Sequence, residues 1–141
     1  MVDKESADRK VKEGWIRSWM MIEAMAVNED AVKTALEKHV KKMGEEDETM
    51  VYKTEFREIK RVENPFPNIK EAYSGVVEIE LVTGTFDKLF YLSVNYGPSA
   101  VEILEPEKLT IDMGEAQGVL NSMADIIHRF AARMGGATIE T

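Results

Sequence analysis

The chain has 141 residues, the size of one ordinary domain, and can bury about two-thirds of its unfolded surface without a disulfide or structural metal. It contains no cysteine, which excludes a disulfide framework, a thiol nucleophile, a zinc ribbon and a cysteine-ligated iron–sulfur cluster. The formal charge of −8 argues against gripping nucleic acid through phosphates, which relies on a basic face.

The apolar runs Trp19–Ile22 and Ala124–Ile127 fall far short of a bilayer span, and the first residues lack the apolar stretch of a signal peptide. The expected compartment is the cytoplasm, with no membrane partner. Abundant glutamate and lysine with a single glutamine, Gln117, form a composition compatible with a thermophile. Two basic strips, Lys53/Arg57/Lys60/Arg61 and Lys38/Lys41/Lys42, read as solvated surface rather than a nucleic-acid interface.

Residues 1–13 are charged and nearly balanced, and read as a frayed lead-in or short helical arm. A single domain spanning 14–136 is expected to follow. In Trp15–Val27, residues Ile16, Ser18, Met20, Ile22, Ala24 and Ala26 share one face of a central strand. Its other face mixes aromatics with charge. Asn28 caps a helix with Val32, Ala35, Leu36, Val40 and Met43 on one stripe, closed by Gly44.

The acidic run Glu45–Glu48 reads as a loop, and Met50–Val62 as one lysine- and arginine-rich edge strand. A phase slip after Phe56 predicts a β-bulge near Arg57–Glu58. Asn64-Pro65-Phe66-Pro67-Asn68 is a turn, because its two prolines argue against both helix and ladder pairing. Ala72–Val82 alternates as a strand. Gly84-Thr85 opens a second helix that Gly97-Pro98 ends, and Ala100–Glu105 is a short strand, with an extension at Lys108–Ile111.

This order gives an α+β fold of ferredoxin-like βαββαβ type, an antiparallel sheet in strand order 4-1-3-2 with both helices on one face. An additional helix over about 112–134 begins at a capping-box-like Asp112-Met-Gly-Glu115 and stops at Gly135-Gly136. Along it Met113, Ala116, Leu120, Met123, Ile127, Phe130 and Met134 recur at alternating spacings of three and four. The stripe either covers the open sheet face of its own chain or packs between subunits. Trp15, Trp19 and Met21 on the open face, with Leu120, Met123, Ile127 and Phe130, are the candidate oligomer interface.

Chemistry is sparse. His39 and His128 sit in separate elements without ligand spacing, and no Walker, GxGxxG, HExxH or EF-hand pattern occurs, so no metal ligands and no cofactor are named by the sequence. A separate candidate is Tyr96, which with Ser99 and Glu102 could line a pocket at the fourth-strand edge; the best constellation is Glu23, Glu78 and Glu80 on the open face, where Arg17 offers the alternative of an ion-paired, partly solvated patch. Such carboxylates could hold a small ligand or divalent cation, or act as acid and base at a subunit interface.

The inferred topology resembles ACT-type regulatory modules, in which a ferredoxin-like unit pairs with a copy of itself and binds a small ligand at the interface. Here the turn after the first strand, Val27-Asn28-Glu29-Asp30-Ala31, lacks the glycine those modules carry. The expected function is a homo-oligomeric, non-enzymatic binding or regulatory module of unknown ligand. The alternative is a small carboxylate enzyme or metal-binding protein.

Overall fold

The computed structural model describes residues 2–135. Its elements run α1 (Lys4–Lys12), β1 (Ile16–Ala26), α2 (Glu29–Gly44), β2 (Thr49–Phe56), β3 (Lys60–Phe66), β4 (Ile69–Thr83), α3 (Phe86–Asn95), β5 (Ala100–Glu105) and α4 (Met113–Gly135). This is an α+β chain with a five-stranded antiparallel sheet. The strand order is β2-β4-β1-β5, and β3 also pairs with β4. Contacts divide the chain between Lys108 and Leu109 into two compact units, α1 to β5 in the first and α4 in the second.

Strand alternation wins over the helical preference of methionine and alanine in β1, because the segment lies between β4 and β5. Its Ile16, Met20 and Ile22 enter a core cluster with Val77, Ile79 and Leu81 of β4. Val32, Leu36, Val40 and Met43 of α2 and Leu89 and Leu92 of α3 close that cluster from one side. The predicted caps form: the Asn28 side chain accepts from Ala31 N at 2.8 Å, and Thr85 Oγ1 from Lys88 N at 3.0 Å. Asp112 Oδ1 accepts from Glu115 N at 2.8 Å at the start of α4.

Several expectations need correction. Of the two readings of residues 1–13 the short helix is the one observed, and it is packed rather than frayed: α1 is capped by Asp3, whose carboxylate accepts from Ser6 N at 2.8 Å. Ala7 is fully buried and Val11 packs beside it against Trp15, Met50, Tyr52 and Val82. A stripe of one alanine and one valine is too small to read as an amphipathic face. Gly44 is the last residue of α2 rather than a residue beyond it, and Glu45 is the cap.

Met50–Val62 is two strands, not one. The chain leaves the ladder at residues 57–59, where Ile59 turns into the core and approaches the position a Gly75 Cβ would take, at 3.6 Å. The register shift within β2 lies between Val51 and Lys53, earlier than the phase slip suggested. Asn64-Pro65-Phe66 belongs to β3 rather than to a turn, and the reversal is the two residues Pro67-Asn68. A second register shift between Glu63 and Phe66, with Asn64 at φ +50°, puts Pro65 in a bulge where its missing N–H costs no ladder bond. Residues 108–111 form no strand. The expected stop at Gly135-Gly136 runs outside the described residues.

Candidate functional site

The face of the sheet opposite α2 and α3 carries the candidate residues. Arg17 is its centre, 8% exposed in the middle of the sheet. Its Nη1 donates to Tyr52 Oη at 2.6 Å, its Nη2 donates to the Asp8 carboxylate from α1, and its Nε lies 3.3 Å from Glu105 Oε1 on β5. The guanidinium also sits over the Tyr52 ring, 5.1 Å from its centroid. Tyr52 in turn donates to Glu80 Oε1 at 2.6 Å, and Lys53 Nζ reaches Glu80 Oε2 at 3.5 Å.

Glu78 belongs to a neighbouring group. Trp19 Nε1 donates to its Oε1 at 3.1 Å, and Arg57 pairs with its Oε2. The two carboxylates are therefore engaged by donors from β1, β2 and the loop that follows β2. The space between them, bordered by Trp19, Lys53 and Glu55, holds about 60 Å³ and takes little more than water.

The network shifts its members' titration. The Arg17 hydrogen bond holds the Asp8 carboxyl below the usual aspartate range, against the opposing effect of burial. Burial, then the hydrogen bond to Glu80, push Tyr52 from 10.0 up to about 12, with Arg17 opposing. A folded-state pKa raised above the unfolded value means the native state keeps its proton longer. Stability is therefore fully present below the unfolded tyrosine pKa and is lost as pH rises toward 12. Denaturant midpoints should fall over that window in the unmodified chain and fall less in Tyr52→Phe. An equal fall in both would remove Tyr52 as the cause.

Of the sequence-predicted residues, Arg17 and Glu80 meet through Tyr52, and Glu78 lies on the same face in its own group. Glu23 is exposed further along β1, opposite Val76. Tyr96 is not part of this site. It caps α3 on the helical side of the sheet, its ring edge-on to His39 at 5.0 Å and its hydroxyl donating to Glu46 Oε2 at 2.7 Å. Burial first, and Glu46 second, raise its pKa. The reading missed Asp8, Tyr52, Arg57 and Glu105, all of which reach the face only through the sheet register and the docking of α1. Among the described residues no group of three or more histidine, aspartate or glutamate side chains is arranged to hold a metal ion.

The expected interface residues divide in two. Trp15, Trp19 and Met21 are half-buried, Trp15 beneath α1. On α4 the apolar stripe is exposed: Leu120 60%, Met123 42%, Ile127 53% and Phe130 63%. Its spacing of three and four residues, from Met113 to Met134, is a heptad seam over the described length of the helix.

The profile of the MJ0538 family matches residues 17–141. The chain belongs to the MJ0538 family. The match begins at Arg17, so it takes in the guanidinium, Tyr52, Glu78, Glu80 and all of α4, while α1 with Asp8 precedes it. No curated protein matches the chain. Among the described residues of this family member, no helix is long and apolar enough to cross a membrane.

Proposed function

We propose that the chain is a non-enzymatic, homo-oligomeric binding or regulatory module whose subunits associate through antiparallel α4 helices. The observation that carries this reading is the exposed heptad seam of α4. Acid lies at its N-terminal end, Asp112 and Glu115, and base at its C-terminal end, Arg133 and Arg129, the latter paired with Asp125 at 3.1 Å within the helix. Antiparallel alignment sets acidic ends against basic ends and opposes the helix macrodipoles.

The energetics favour a reversible contact. Leu120, Met123, Ile127 and Phe130 are about half exposed, so covering them on both helices returns roughly 6–12 kcal/mol. Association costs about 4–15 kcal/mol in lost freedom. The two ranges overlap, so the α4 contact is a weak, reversible one, and a small molecule at the subunit interface is the class of ligand in this reading.

Within the same proposal the sheet is ferredoxin-like, with its second strand divided into β2 and β3. Counting the divided strand once, the order β5-β1-β4-β2 reads 4-1-3-2. The absence of cysteine supports a cytoplasmic setting. The carboxylate-enzyme alternative draws less support, because Glu78 and Glu80 are already hydrogen-bonded within the face.

The test is Leu120→Glu combined with Ile127→Glu. Both side chains are exposed within the chain, so the fold should persist with an unchanged far-ultraviolet circular dichroism spectrum. Light scattering should show the mass reduced by at least half relative to the unmodified protein. An equal mass for the two proteins would refute the α4 seam.

A further inference from the structure

A second surface has the pattern of a self-pairing edge. β2 ends the strand order, so its outer side has no ladder partner among the described residues. Between that edge and α2 runs a trough of about 690 Å³, with Val40, Gly44, Val51, Thr54 and Phe56 among its lining. Phe56 is 47% exposed at its edge.

The sequence along the edge, Lys53-Thr54-Glu55, is its own complement when reversed. A two-fold axis at Thr54 would set Lys53 of each copy opposite Glu55 of the other, on the same face of an antiparallel pair. Opposite charges directly across strands are favourable, whereas like charges there repel. Both side chains are exposed, Lys53 at 61% and Glu55 at 52%, and their pairs within the chain, to Glu80 at 3.5 Å and to Arg57 at 3.2 Å, are solvent-screened surface contacts that an opposed partner can join. The same register brings Phe56 of each copy opposite the bulge at Val51–Lys53 of the other, where Val51 lines the trough and Tyr52 turns to the opposite face of the sheet. β5, at the other edge, has no such complement, since its charged residues, Glu102 and Glu105, are both acidic.

We propose that β2 pairs antiparallel with β2 of a second copy of this chain about a two-fold axis at Thr54. Each Phe56 enters the trough of the other copy, and the sheet continues across the subunit boundary. This contact is independent of the α4 seam, and the two together build an assembly larger than a dimer.

The test uses the absence of native cysteine. Thr54→Cys introduces one thiol, and at an antiparallel two-fold position the facing Cα atoms lie within disulfide reach. The variant is made with Leu120→Glu and Ile127→Glu, so failure of the α4 reading does not affect the outcome. Under mild oxidant the expected result is a disulfide-linked dimer as the main species. Lys38→Cys, exposed on α2, should stay monomeric in the same background. Adding Lys53→Glu or Glu55→Lys alone should cut the cross-linking yield several-fold, and the two together should restore it. Circular dichroism confirms that each variant is folded. Cross-linking of Thr54→Cys no faster than that of Lys38→Cys overturns the proposal, whether the edge is left to another protein's strand or to none. Failure of the charge swap to recover the yield overturns it equally.

Discussion

Replacing Arg17 with alanine should be among the most damaging single changes to the sheet, lowering stability by about 2–4 kcal/mol. The side chain is nearly buried and joins four elements, with Asp8 on α1, Tyr52 on β2 and Glu105 on β5 as its partners. Truncation leaves Glu105 without its cation and Asp8 with only the longer, exposed pair to Lys4 at 3.6 Å. Asp8 and Glu105 are 41% and 55% exposed, so water compensates part of the loss and holds the figure below that of a fully buried pair. For a chain of this size the melting temperature should drop by roughly 6–12 °C. Asp8→Asn alone should cost less, and the double variant should lose less than the two single losses added, because both changes break one contact. A calorimetric loss below about 1 kcal/mol for Arg17→Ala would mean the network is surface decoration.

Gly75→Ala should cost about 1–3 kcal/mol, although alanine is ordinarily the better residue in a strand. Gly75 lies on β4 beneath α2, and a Cβ there would overlap the Val32 Cγ1 methyl and sit 3.1 Å from Leu36 Cδ1. Neither atom has room to retreat, since Val32 is fully buried and Leu36 is 3% exposed. The added methyl must lift α2 off the sheet or force both side chains from their rotamers. Introducing the same change into a Val32→Ala background should cost markedly less. An equal loss in both backgrounds, measured by urea denaturation, would place the damage elsewhere than at this helix–strand contact.

The sequence carried the parts of the fold whose signals are local. Asn28, Thr85 and Asp112 each announced a helix start through cap chemistry, and the period-two pattern of β1 and β4 assigned the inward residues Met20, Ile22, Ile79 and Leu81. What failed was information held between segments. Nothing local marks residues 4–12 as packed, because their buried contribution is Ala7, and the surface that holds them is Tyr52 and Val82 far along the chain. The split between β2 and β3 depends on Ile59 turning into the core beside Gly75, a tertiary choice that reads in sequence as a phase slip.

The candidate site shows the same division. Arg17, Glu78 and Glu80 were assigned to one face by alternation, as observed. Their partners came from the register shift within β2, which puts both Tyr52 and Lys53 within reach of Glu80. Tyr96 drew notice through the motif-like stretch from Asn95 to Glu102, while its position at the end of α3 turns it toward His39 and Glu46.

Native mass spectrometry of the unmodified chain at micromolar concentration tests the central claim most directly. Self-association through isologous contacts predicts an even number of copies, with any retained small molecule appearing as added mass on the assembly rather than on single chains. A spectrum containing only single chains across that concentration range would contradict the account.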